Sequence, residues 1–130
     1  MIVGLDTGFF VALNGRQSAA QEVWQGIAAR KDQGVVSCLT LYELQKLGLK
    51  GVLHRRVAQG FVDQLPNICQ TIWLNEVQRL DQAARLSHGA GLAMADALIL
   101  ASMMDASVEV FYTTDSDFEA YSAGPEIRML

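Results

Sequence analysis

Charge is scarce in this chain: Asp, Glu, Lys and Arg make up only 18% of its 130 residues, against 51% hydrophobic ones. That balance excludes a disordered polar polymer and is enough to bury one compact core, so residues 1–130 are expected to form a single domain. Cysteine is nearly absent as well. Cys38 and Cys69 lack the CxxC spacing of a zinc or thiol-redox site, which leaves two reduced core thiols as the expectation. No apolar run approaches the roughly 18 residues of a membrane span, and the chain enters Ile2-Val3-Gly4-Leu5 without a basic leader. A soluble cytoplasmic protein is expected. Histidine is limited to His54 and His88, in different expected helices and away from the strand ends, which disfavours an imidazole acid–base pair. Glycine-rich phosphate loops, internal repeats and low-complexity tracts are also missing.

What is present is a regular alternation of hydrophobic period. Ile2–Leu5 reads as a short apolar strand, Phe9–Leu13 and Ala19–Arg30 as helix, and Val35–Cys38 as a second strand after the break at Gly34. Helical spacing returns over Leu41–Leu49 and, past a turn at Gly51, through Val57, Phe61 and Leu65, with Pro66-Asn67 expected to end it. Ile68–Leu74 reads as a third strand, Glu76–Ser87 as an amphipathic helix, and Gly89-Ala90-Gly91 as a linker. Leu92–Met104 is apolar on nearly every face and should be a core helix. Val108–Tyr112, a short helix over Asp117–Tyr121 and a strand over Ile127–Leu130 complete the order. Trp24, Trp73 and the methionines are expected in the core. Strand and helix repeating in this way predict an α/β fold, a parallel sheet of four or five strands with helices on both faces.

Ligands of such sheets bind beyond the carboxyl ends of the strands. Asp6 follows the first strand, Glu43 lies one helical turn beyond the second, and Asp115 follows the fourth; Asp96 is the only charge between Leu92 and Met104. With the first strand central and neighbours about 4.8 Å apart, these acids converge on one edge. Each has a structural role open to it when taken alone. Thr40-Leu41-Tyr42-Glu43 fits a capping box, and Asp6 and Asp115 fit helix caps. Asp96 has no cationic neighbour, and an unpaired buried carboxylate is costly. Taken jointly, like charges at one edge need a neutraliser. Oxygen ligands without His or Cys favour a hard divalent ion, Mg²⁺ or Mn²⁺.

The formal net charge of −4 lacks the basic footprint of a nucleic-acid binder, yet its distribution is uneven. Lys46, Lys50, Arg55 and Arg56 occur with no acid between them, while residues 96–130 carry seven acids against Arg128 alone. A bound divalent ion reconciles an acidic protein with a polyanion, because it supplies positive charge locally. The basic stretch is then a candidate, weaker than the acids, for positioning an RNA backbone; its structural alternative is a solvated helix face.

Leu5-Asp6-Thr7-Gly8, Leu41-Tyr42-Glu43-Leu44, Met94-Ala95-Asp96-Ala97-Leu98-Ile99-Leu100-Ala101 and Thr113-Thr114-Asp115-Ser116-Asp117-Phe118, in that order across the whole chain, resemble the PIN-domain family. The likeness is nearest to the VapC-like toxin ribonucleases. It implies a three-layer α/β/α sandwich, Mg²⁺- or Mn²⁺-dependent cleavage of single-stranded RNA, a small antitoxin partner, and often a homodimer. By position, Asp6, Glu43, Asp96 and Asp115 match the family's catalytic and metal-binding acids; Thr7 and Thr113 match supporting hydroxyls, and Asp117 an extra ligand. Two alternatives stand beside the toxin: a PIN nuclease that processes RNA, and an inactive module whose acids are structural. A phosphoaspartyl receiver fits poorly, since it needs paired acids after the first strand and a lysine after the last.

Overall fold

The computed structural model describes residues 1–130. Five parallel strands form one sheet in the order β3-β2-β1-β4-β5: β1 Ile2–Leu5, β2 Gln33–Ser37, β3 Gln70–Ile72, β4 Val110–Thr113 and β5 Glu126–Met129. The expected central position of the first strand, with the second and fourth beside it, is what the sheet has. Six helices pack on it: α1 Thr7–Asn14, α2 Ser18–Ala28, α3 Cys38–Lys50, α4 Arg55–Ile68, α5 Val77–Ala90 and α6 Met94–Asp105. The fold is an α/β/α sandwich.

The two layers follow from strand periodicity, in which successive side chains point to opposite faces. Val3, Leu5 and Val36 pack with Phe9, Phe10, Ile27, Leu44 and Leu65 of α1–α4. Val35 and Phe111 pack on the other face with Ile99, Leu100 and Met103 of α6. Gly4 is the one strand position where α6 comes too close for any side chain: a Cβ there would overlap the Met103 sulfur. The middle of α6 is buried almost all round, as its unbroken apolar pattern implies.

Four local expectations are corrected. Helix α4 continues through Pro66 to Ile68, because the proline sits in the last turn on the exposed side, where a missing N–H costs little. Leu65, fully buried, holds that turn to the core. Helix α5 runs through Gly89 and Ala90 and stops at Gly91, whose φ of +70° gives a left-handed cap that glycine adopts without strain. Strand β3 is only Gln70–Ile72, since Ile68 still belongs to α4. The expected short helix is a 3₁₀ turn, Ser116–Ala120. Not all the large apolar residues are inside. Trp24 packs edge-on to Phe10, but Trp73, Met1 and Met94 are exposed, at a sheet edge, a chain end and a helix start where no layer covers them. Cys38 and Cys69 are free thiols.

Candidate metal centre

The sheet order reverses at β1: the chain steps outward through β2 and β3 and then returns to place β4 on the other side of β1. Such a switch point opens a crevice beyond the carboxyl ends of the strands. Leu5 is in register with Tyr112, so the next residue of each strand, Asp6 and Thr113, meet across the crevice. The Asp6 N–H donates to the Tyr112 carbonyl at 3.0 Å, and Thr113 Oγ1 donates to Asp6 Oδ2 at 2.7 Å. Asp6 stands at the N-cap position of α1 but makes no capping hydrogen bond. Its side chain is committed to the crevice. Burial pushes its carboxyl up to about 6, against the Thr113 hydroxyl bond, and the charges of Glu43 and Asp115 raise it further.

Helix α3 starts earlier than the capping-box pattern implies. Ser37 is the N-cap, accepting the Leu39 N–H at 3.2 Å, so Thr40 is a buried interior residue and Glu43 is free of any capping duty. Glu43 instead accepts a hydrogen bond from Thr7 Oγ1 at 2.6 Å. Thr40 Oγ1 lies 3.4 Å from the same Thr7 hydroxyl. Thr7 of α1 thus holds the carboxylate, and buried Thr40 of α3 stands behind the Thr7 hydroxyl, a placement that its expected role as a cap concealed. Only the adjacency of α1 and α3 makes it visible.

Asp96 lies in the first turn of α6, on the third residue of the helix, where the positive end of the helix dipole favours an anion. Desolvation, followed by the charges of Asp115, Asp117 and Glu43, nevertheless raises its carboxyl to about 6. Asp115 keeps its cap as well as its place at the edge: its Oδ1 accepts the Asp117 N–H at 2.9 Å, and its own N–H donates to Thr113 Oγ1 at 2.9 Å. Thr113 therefore ties Asp6 and Asp115 together, giving its proton to one and its lone pair to the backbone of the other. The 3₁₀ turn that carries Asp117 is anchored by buried Phe118, whose ring meets Phe111 edge-on at 5.1 Å. Carboxylate oxygens of Asp96, Asp115 and Asp117 all fall within 4.8 Å of one another.

Five acids therefore share one neighbourhood, with Asp6 and Glu43 bordering the tight trio of Asp96, Asp115 and Asp117 and coupled to it electrostatically. None of the four ion pairs in the protein reaches any of them. An all-carboxylate donor set with no cationic partner fits a hard divalent ion; burial first, and the neighbouring carboxylates after it, raise the carboxyls of Asp6 and Asp96. Lys50, Arg55 and Arg56 are not brought to the acids. They line a separate groove at the α3–α4 turn, while exposed Lys46 lies three residues beyond Glu43 on α3. His54 caps α4, its Nδ1 accepting the Arg56 N–H at 3.1 Å, and His88 lies on α5.

Comparison with known proteins places the fold. The family model of the PIN domain matches residues 3–124. No curated protein matches the sequence. Among solved structures, VapBC2 from Rickettsia felis bound to a DNA fragment from its promoter superposes with a TM-score of 0.75 at 16% identity, over 100% of this chain and 99% of that one. A toxin-antitoxin complex from Klebsiella pneumoniae gives 0.70 at 20% identity over 97% and 95% of the two chains. VapBC-1 from nontypeable Haemophilus influenzae gives 0.69 at 19%, over 99% and 98%. At these identities the likeness is one of fold.

Proposed function

The chain belongs to the PIN-domain family, and on that premise we propose that it is a metal-dependent endoribonuclease that hydrolyses phosphodiester bonds of single-stranded RNA in the cytoplasm. The observation that carries this reading is the group of five carboxylates without a cation at the switch point of the sheet. Asp96, Asp115 and Asp117 would hold Mg²⁺ or Mn²⁺, with Asp6 and Glu43 beside them directly or through water. A bound ion of this kind supplies an acidified water and positive charge for the phosphate oxygens. The protein's own part is positional. Thr113 fixes Asp6, Thr7 fixes Glu43, and the Asp115 cap holds the 3₁₀ turn so that three carboxylates present oxygens to one point. Direct attack by water needs no side-chain nucleophile.

The structural neighbours are toxin-antitoxin proteins, which favours the toxin of a type II pair, with a small antitoxin as partner, over an RNA-processing enzyme. A homodimer belongs to the same reading. Exposed Val77, Leu80 and Met94 beside the apolar groove between α5 and α6 are the surface that such pairing would cover. The test is cleavage of labelled single-stranded RNA by the purified chain. Mn²⁺ should support cleavage, EDTA should abolish it, and Asp96→Asn should leave a folded, inactive protein; cleavage that survives EDTA refutes the proposal. Growth arrest on expression, relieved by Asp6→Ala, would favour the toxin.

A further inference from the structure

We propose that the groove at the α3–α4 turn is a backbone track for single-stranded RNA, leading away from the acidic edge along α3. The inference rests on the nuclease reading above. The groove, of about 660 Å³, is lined by Lys50, His54, Arg55 and Arg56 around the Gly51 turn. No acid occurs from residue 44 to residue 62. Arg79, Arg85 and Arg128 are the side-chain cations that form ion pairs, so Lys46, Lys50, Arg55 and Arg56 are all without an acidic partner. A protein of net charge −4 that leaves three cations unpaired at one turn, and Lys46 a helical turn before them on α3, has a surface suited to a polyanion.

Helix geometry connects this surface to the acids. Glu43, Lys46 and Lys50 are spaced i, i+3 and i+7, which puts them on one stripe of α3. At a rise of about 1.5 Å per residue, Lys50 lies about 10 Å along the axis from Glu43, within the reach of a few nucleotides. Beside Glu43, Tyr42 is 61% exposed and offers a ring face for a base. Unpaired cations along a groove together with an exposed aromatic are the two elements of sequence-tolerant single-strand binding. An acidic peptide would meet the same cations and the same carboxylates, but it has no base to stack on the exposed Tyr42 ring. A nucleic acid strand gains at both ends, because its phosphate is taken up there together with a divalent ion.

The test compares wild type with Lys50→Ala/Arg55→Ala/Arg56→Ala, all exposed positions, on a labelled oligouridylate of about twelve nucleotides and on a trinucleotide. In Mn²⁺ the variant should raise KM for the long substrate by about tenfold or more, with kcat and trinucleotide cleavage unchanged. Fluorescence polarisation of the long oligonucleotide should show the slope of log affinity against log salt fall by about 2, at about 0.7 per phosphate contact for single strands. An unchanged KM and an unchanged slope would overturn the track. So would retained RNA affinity with loss of binding to a polyglutamate peptide, which would assign the groove to an acidic protein segment. Wild type that cleaves neither substrate would overturn the nuclease reading instead, and the salt slope alone would then decide the groove. Lys50→Glu, judged by the same slope, serves if the triple variant fails to fold.

Discussion

Replacing the most buried acid by its neutral isostere should stabilise the metal-free protein. Asp6 is 6% exposed, and burial with two neighbouring carboxylates raises its carboxyl from 3.8 to about 6. At about 1.36 kcal/mol per pH unit, that rise costs the charged native state about 3 kcal/mol. Well below pH 4 both native and unfolded chains hold the proton and nothing is lost. Between about 4 and 6 the native state keeps a proton that the unfolded chain releases, so stability falls as pH rises; above about 6 the full cost stands. Asp6→Asn removes the ionisation and keeps an oxygen to accept the Thr113 hydroxyl. Thermal melts in EDTA at pH 7.5 should therefore show the variant more stable by up to about 3 kcal/mol, roughly 10 °C for a domain of this length. The gap should close by about pH 3. Mn²⁺ at about a thousand times its Kd should then add about 4.1 kcal/mol to wild type and much less to Asp6→Asn, reversing the order. A variant that melts lower than wild type in EDTA at pH 7.5, or a gap that ignores pH, would mean that the carboxylate has a partner other than a metal.

Three further outcomes are expected. Thr113→Val removes the donor to Asp6 and the acceptor of the Asp115 N–H; Mn²⁺ affinity by titration calorimetry should drop about 10- to 100-fold while far-UV circular dichroism is unchanged. Gly8→Ala drives a Cβ into Thr114 beside the crevice, and urea denaturation should show a loss of about 1–3 kcal/mol with lowered metal affinity. Burial pushes the Cys69 thiol up to about 11, so iodoacetamide at pH 8 should leave it unlabelled in the native protein, by mass spectrometry, and label it in urea.

The sequence by itself determined the strand–helix alternation, the layers and which acids reach the carboxyl edge. These are properties of period and order: an apolar run with an acid at its end is a strand pointing at a ligand edge, wherever the strand sits. Asp6 and Asp115 were legible for that reason, and Asp96 because no cation accompanies it in an apolar helix. Local pattern misled where a packing contact outweighed it. Leu65 carried α4 past Pro66, and the start of α3 at Ser37 turned a fitting capping box into an interior turn. Only the tertiary structure decided what holds each carboxylate. Thr113 reaches Asp6 across 107 residues and Thr7 reaches Glu43 across 36, and such bonds exist only once strand register and helix docking have set the distances. It also decided that Asp117 stands with Asp96 and Asp115, while the basic residues form a groove of their own. Hydrophobic periodicity records which way a side chain faces, but not which partner it will meet there.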